Sequence, residues 1–147
     1  KPDYVVTSDL VVTAKLTIAP GVVIEFDSDK SLQIYPQGAL VAIGTSTENI
    51  VFTGRIKSKG YWKGILFLSN NAENELDYVA VAYAGSNALP EVGVKANIAL
   101  AGTEHSGSAL KISNSNLYDG GGYGLYVAGR SQLNYFYANY FTNNTLL

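Results

Sequence analysis

The sequence lacks cysteine and methionine altogether and has one histidine, one tryptophan and two arginines. Without cysteine there are no disulfides, no zinc thiolates and no thiol nucleophile. Charged residues make up only 15% of the chain, which leaves few groups for an active site. The hydrophobic share of 47% excludes simple disorder, which needs low hydrophobicity and high charge. The net charge of -2 is not the basic excess of a nucleic-acid binder, so no nucleic-acid partner is expected. No apolar run reaches the roughly 20 residues of a membrane helix, so the chain is not expected to span a membrane. These 147 residues also carry no leader pattern. They do not begin with methionine, and they close on the apolar pair Leu146 and Leu147. The expectation is one domain, residues 1–147, excised from a longer chain that continues beyond Leu147.

Helix signals are also scarce. Glycine occurs 15 times, β-branched residues are dense, and no window of a dozen residues holds the apolar spacing of a helix face. Alternation takes its place, at Leu16-Thr17-Ile18, Ile24-Glu25-Phe26, Leu32-Gln33-Ile34, Ile50-Val51-Phe52 and Leu133-Asn134-Tyr135. Each reads as a short strand bounded by turn residues. Comparable strand centres recur: Leu10 to Leu32 is 22, Leu16 to Leu40 is 24, Ile24 to Ile50 is 26, and Leu110 to Leu133 and Asn116 to Asn139 are both 23. From Leu32 to Ile65 the step is 33, with the surplus in residues 54–63.

Three short strands in a period of the low twenties read as a parallel β-helix, each coil stacked on the last about 4.8 Å away. The expected fold is all-β: a right-handed, single-stranded parallel β-helix of about six coils, on the order of 30 Å long. Like side chains should form internal ladders, and Ile65, Leu66 and Phe67 should share a face with Leu10 and Leu32. Asn116 and Asn139 are candidates for a stacked asparagine pair at a bend. A β-sandwich would need tight hairpins. The one Asp-Gly dipeptide, Asp119-Gly120, runs on into Gly121-Gly122 instead.

The order of motifs carries a resemblance. LTIAPGVVIEF, SLQIYPQGALVAIGT, ENIVFTG, GYWKGILF and ELDYVAVAYAG follow one another across residues 16–85, with a looser match in ALKISNSNLYDGGGYGLYV. The chain resembles bacterial right-handed parallel β-helix repeat proteins of the secreted or cell-surface kind, the non-catalytic branch of the pectate-lyase-like superfamily. That resemblance implies a secreted or outer-surface location. It also implies a rigid scaffold or binding module, for carbohydrate if there is a ligand, or for a cell-surface protein. The alternative it implies is a polysaccharide lyase or glycoside hydrolase acting on an acidic glycan, since one fold hosts both.

The residues favour the module. Pectate-lyase-type enzymes imply clustered carboxylates for calcium beside an Arg or Lys base, but Arg55 and Arg130 sit in unrelated corners and the carboxylates do not recur at the coil period. Asp27 and Asp29, in FDSDKS, are the calcium candidates, with no other ligands evident. The plainer reading is a polar turn, and no cofactor is expected. Asp77 and Asp119 are 42 apart, which is not two clean coils for a paired-carboxylate hydrolase. His105 in GTEHSGS, with Tyr118, Tyr123 or Tyr126 as acid, is more simply a solvated loop histidine. There is no nucleophile elbow and no phosphate loop.

Two regions remain as candidate binding surfaces. The stretch RIKSKGYWKGILF supplies Arg55, Lys57, Lys59, Tyr61, Trp62 and Lys63. Within it, GYWKGILF reads as a structural corner and the basic residues as a patch for an anionic glycan or headgroup. The late tyrosines, Tyr123, Tyr126 and Tyr137 among them, could stack on sugar rings, or could plug the tube and cover a sheet face. Residues 85–96 and 101–108 look inserted, and inserted loops in solenoids gather on the binding face. Open strand edges at the ends of the stack would allow edge-to-edge self-association.

Overall fold

The computed structural model describes residues 1–146; Leu147 lies outside the described residues. The described chain contains sixteen strands and no helix, wound as a right-handed parallel β-helix. The first coil is β1 (Tyr4–Val6), β2 (Leu10–Val12) and β3 (Lys15–Ile18). The second is β4 (Val23–Phe26), β5 (Ser31–Ile34) and β6 (Ala39–Ile43). The third is β7 (Ile50–Gly54), β8 (Gly64–Phe67) and β9 (Glu75–Asp77). The fourth is β10 (Val79–Ala82), β11 (Ala96–Leu100) and β12 (Ala109–Ser113). The fifth is β13 (Asn116–Tyr118), β14 (Tyr123–Val127) and β15 (Gln132–Tyr137), after which β16 (Tyr140–Thr142) opens a sixth.

Every third strand joins the same sheet. The first sheet runs β1-β4-β7-β10-β13-β16, the second β2-β5-β8-β11-β14 and the third β3-β6-β9-β12-β15, all parallel. Period-two alternation turns one set of side chains into the tube, where register stacks like on like. Leu10, Leu32, Ile65 and Ile98 form one ladder, continued by Leu125. Ile24, Phe52, Val81 and Leu117 form a second; Ile18, Ala42, Leu76 and Ile112 a third. The placement of Ile65 beside Leu32 is the one the 33-residue step required.

The uniform period does not hold throughout. Leu10 pairs with Leu32 and Leu110 with Leu133, as the spacings indicated. Ile24, however, stacks on Phe52 rather than Ile50, and Asn116 on Tyr140 rather than Asn139. The outer coils are short because their corners are tight. The middle coils are long because loops 55–63, 68–74, 83–95 and 101–108 leave them, all from the two corners that flank the second sheet. A β-bulge in β15 also breaks the Leu133-Asn134-Tyr135 alternation: Leu133 pairs with Leu110, but Tyr135 pairs with Lys111. The extra residue turns Tyr135 and Tyr137 onto the outer face and Phe136 toward the open end of the tube.

Two corners are made by residues in the left-handed backbone region. Tyr78, Asn114 and Ala138 turn the third sheet into the first, with φ of 52°, 49° and 56°. Tyr83, Asp119 and Asn143 turn the first toward the second, at 67°, 51° and 56°. Asparagine and aspartate tolerate this region; a residue with an ordinary Cβ loses roughly 1–2 kcal/mol there. Ala138→Gly is therefore expected to stabilise the protein by about 0.5–1 kcal/mol, after subtracting the greater freedom of glycine in the unfolded chain. Urea unfolding followed by far-ultraviolet circular dichroism checks this, and an unchanged or lower midpoint refutes it.

Asparagines do hold the bends, though only one is where the spacing suggested. Asn139 accepts from the Ser115 amide and donates to the Ile112 carbonyl, at 3.1 and 2.9 Å. Its expected partner Asn116 is exposed on the outer face. The stacked pair is Asn97 and Asn144, joined at 3.2 Å, with Asn144 also taking the Gly120 amide at 2.9 Å.

Candidate functional site: a cleft at the second corner

The GYW segment, residues 60–62, is the structural corner expected of GYWKGILF. Gly60 and Gly64 have φ of +76° and +126°, and a Cβ on Gly64 would meet the Ala96 carbonyl oxygen. Between them the chain folds down onto the coil, and Trp62 is 0% exposed. Its ring stacks on Phe26 at 4.2 Å, and its Nε1–H donates to the Ala82 carbonyl at 2.7 Å. Trp62 is therefore no ligand contact: the indole is consumed by the core, because its large apolar area is worth most there. Tyr61 is half-buried beside it, packed over Gly54.

The basic residues do not form a free patch either. Arg55 pairs with Asp27 at 3.0 Å, and Lys57 with Glu25 at 2.9 Å and with the Gly54 carbonyl. Both pairs span adjacent coils of the first sheet's edge, and each cation faces an anion rather than open solvent alone. Lys59 is exposed and Lys63 half-buried. The two aspartates considered for calcium are engaged separately. Asp27 meets Arg55, whereas Asp29 accepts from Ser86 Oγ at 2.6 Å and Asn87 Nδ2 at 2.9 Å. The Ser86 and Asn87 hydrogen bonds, helped by Lys63 and Lys30, hold the Asp29 carboxyl below its ordinary value. Among the described residues no three His, Asp or Glu side chains gather in one place. Asp29 thus ties the 83–95 loop to the second coil.

The remaining candidates scatter. His105 lies exposed at a loop tip, 3.1 Å from Glu104. Tyr118 sits in the first sheet, edge-on to Tyr83 at 6.1 Å, where burial pushes its phenol up and makes it a poorer proton donor. Asp77 accepts from Ser113 and Asn114 at one corner, and Asp119 from Asn143 at another. Of the three tyrosines named as an aromatic face, Tyr123 and Tyr126 lie 5.2 Å apart on the second sheet and cover a small apolar cluster of Leu66, Leu89, Ala96 and Ala99. Tyr137 alone is open, at 63% exposed, with Tyr135 6.3 Å away on the third sheet.

What the structure does assemble is a cleft of about 480 Å³ at the corner between the second and third sheets. Tyr35 and Pro36 come from the turn after β5, Leu68 and Asn70 from loop 68–74, Glu91 from loop 83–95, and Thr103 and Ser106 from loop 101–108. The two loops that look inserted in the sequence thus converge on one cavity. Each wall is pinned. Leu89 of loop 83–95 is fully buried against the second sheet. Ser108 Oγ bridges the Phe67 and Ala101 carbonyls at 2.8 Å each, and Ser69 Oγ donates to Gly38 at 2.7 Å. Asn74 joins three coils: its Oδ1 accepts from Leu40, and its Nδ2 donates to Ala109 and Ser69.

A concave wall of fixed loops with one aromatic ring, one carboxylate, an amide and hydroxyls has the makings of a binding site for a small polar ligand. Tyr35 could have been noticed in SLQIYPQG, but nothing local marks it, since its partners in the cleft lie on the next two coils. The fold and this corner together define the class: a right-handed parallel β-helix whose inserted loops wall a cleft beside its second sheet. Scans against protein-family models, curated proteins and solved structures found no match to this chain.

Proposed function

We propose that this protein is a non-catalytic β-helical binding module, of the secreted or cell-surface kind its sequence resembles in bacteria, and that it holds a glycan in the corner cleft. The observation that carries the reading is the cleft itself. Its lining combines the partly exposed Tyr35 with Asn70, Glu91, Thr103 and Ser106. A pyranose ring has one face of C–H groups and an edge of hydroxyls. An aromatic plane with surrounding amide, carboxylate and hydroxyl groups complements both. Arg55 and Lys57 are each paired with a carboxylate, which supports the cleft over the basic stretch as the site.

A glycan array on the purified chain tests this, repeated with Tyr35→Ala. Binding is expected, weakened at least about tenfold by the substitution, because removing the ring removes the stacking surface without touching the core. The hits are then followed for the ultraviolet absorbance of unsaturated uronates and for new reducing ends. Formation of either product would replace this reading with the lyase or hydrolase one.

A further inference from the structure

Resting on the reading of the cleft as a sugar site, we propose that Glu91 sets the class of sugar: the cleft takes a neutral, hydroxyl-rich glycan and turns away uronates. Three observations meet at this residue. Glu91 lines the cleft, and among the described residues its carboxylate has neither an ion pair nor a side-chain hydrogen bond. Four of the other five glutamates, Glu25, Glu73, Glu75 and Glu104, are paired with a cation or a histidine, and the fifth, Glu48, does not line the cleft. Glu91 is thus left with its acceptor capacity free. Its backbone holds φ +67°, a region that residues with a side chain avoid. Strain of this kind persists only where surrounding structure enforces it: at Tyr78, Tyr83 and Ala138 that structure is a corner of the coil, and at Glu91 it is the turn that carries the carboxylate to the cleft.

The enforcement is visible. Leu89, two residues earlier, is 0% exposed. The turn closes on itself through the Leu89 amide to the Val94 carbonyl at 2.9 Å and the Gly93 amide to the Leu89 carbonyl at 3.0 Å. The Asp29 contacts to Ser86 and Asn87 anchor the start of the same loop. The backbone that carries the carboxylate is therefore a closed, anchored turn, so a ligand has to order the Glu91 side chain but not the loop.

The chemistry selects from there. An ionised carboxylate only accepts hydrogen bonds, and its two oxygens match two adjacent sugar hydroxyls. Among the described residues no Lys, Arg or His lines the cleft, so a uronate carboxylate would meet Glu91 with no cation to offset the repulsion. Asn70, whose side-chain amide has no partner among the described residues, can serve a further hydroxyl or ring oxygen. Lys57 and Arg55, the cations a uronate would seek, are occupied at a different corner.

The test is titration calorimetry of the intact chain with cello-, manno- and malto-oligosaccharides, the matching monosaccharides, and oligogalacturonate of equal length. It is run on wild type, Glu91→Gln, Glu91→Lys and Tyr35→Ala, with urea midpoints as the folding control. The wild type should bind at least one neutral oligosaccharide and show no measurable affinity for oligogalacturonate. Glu91→Gln should weaken the neutral ligand about tenfold, because a charge-assisted hydrogen bond becomes a neutral one. Glu91→Lys should gain oligogalacturonate binding. The monosaccharide arm separates a free sugar from a chain as the source of the ligand. Two results would overturn the assignment while leaving the sugar reading intact: oligogalacturonate binding the wild type as well as neutral glycans, or Glu91→Gln keeping full affinity where Tyr35→Ala loses it. If none of these sugars binds, the sugar reading itself falls.

Discussion

Trp62→Ala is expected to destabilise the protein by about 3–5 kcal/mol, a large part of the roughly 5–15 kcal/mol that holds a domain of this kind together. The indole is wholly buried, it lies flat on Phe26 at 10°, and its N–H satisfies the Ala82 carbonyl. Phe26 belongs to the second coil and Ala82 to the fourth, so the side chain clamps coils on either side of its own. The backbone reinforces the clamp. Tyr61 and Trp62 amides reach the Tyr83 carbonyl, the Trp62 carbonyl accepts from Ser86, and the Tyr61 carbonyl accepts from Asp29. Trp62→Phe should cost less, about 1–3 kcal/mol. It keeps a ring over Phe26 but leaves the Ala82 carbonyl buried without its donor. Because Trp62 is the only tryptophan, unfolding of both variants is followed by circular dichroism rather than fluorescence. A shift below about 1 kcal/mol for the alanine variant would show that the corner can collapse around the hole.

Asn74→Ala should have an effect of similar size by a different route, about 2–5 kcal/mol. The third coil enters β9 only at Glu75, so the Leu40 amide above faces no strand residue. The Asn74 side chain stands in for it, and it donates downward to Ala109 in the fourth coil. Alanine leaves both of those backbone groups buried and unpaired, at about 1–3 kcal/mol each. The residue is 1% exposed, so water cannot replace the lost bonds without opening the structure. Asn74 also braces loop 68–74 through Ser69, and that loop supplies Asn70 to the cleft. Loss of stability should therefore come with loss of ligand affinity, and amide exchange at Leu40 should quicken. A variant that kept full stability and slow exchange at Leu40 would refute this account of the corner.

These two residues differ in how visible they were. Trp62 stands out in GYWKGILF because the surplus over the coil period falls just before it and glycines flank it, so a structural corner could be read there. Asn74 carries no such mark. It is one of five asparagines and glutamates in NNAENE, and only the stacking of Leu40, Ser69 and Ala109 gives its amide something to do. The same holds for Tyr78 and Ala138, whose left-handed turns no residue-type rule would assign to tyrosine or alanine. The basic stretch was legible as charge but not as geometry. Arg55 and Lys57 could not be matched to Asp27 and Glu25 without knowing which coils are neighbours.

Local pattern was enough for the architecture. Alternation with a short period forces short strands, a repeated period near the low twenties forces stacked coils, and like residues at that spacing forecast the ladders of Leu10, Leu32 and Ile65. These are properties of each stretch and its next repeat, so they survive in one dimension. The cleft, the pairing of the cations and the burial of Trp62 and Leu89 were decided only by the tertiary structure. Each depends on how far unequal loops displace one coil against the next, and that displacement is set by packing between residues tens of positions apart. Tyr35, Asn70 and Ser106 line one cleft because three successive coils share that corner, and Glu91 joins them from the loop at the other corner of the second sheet.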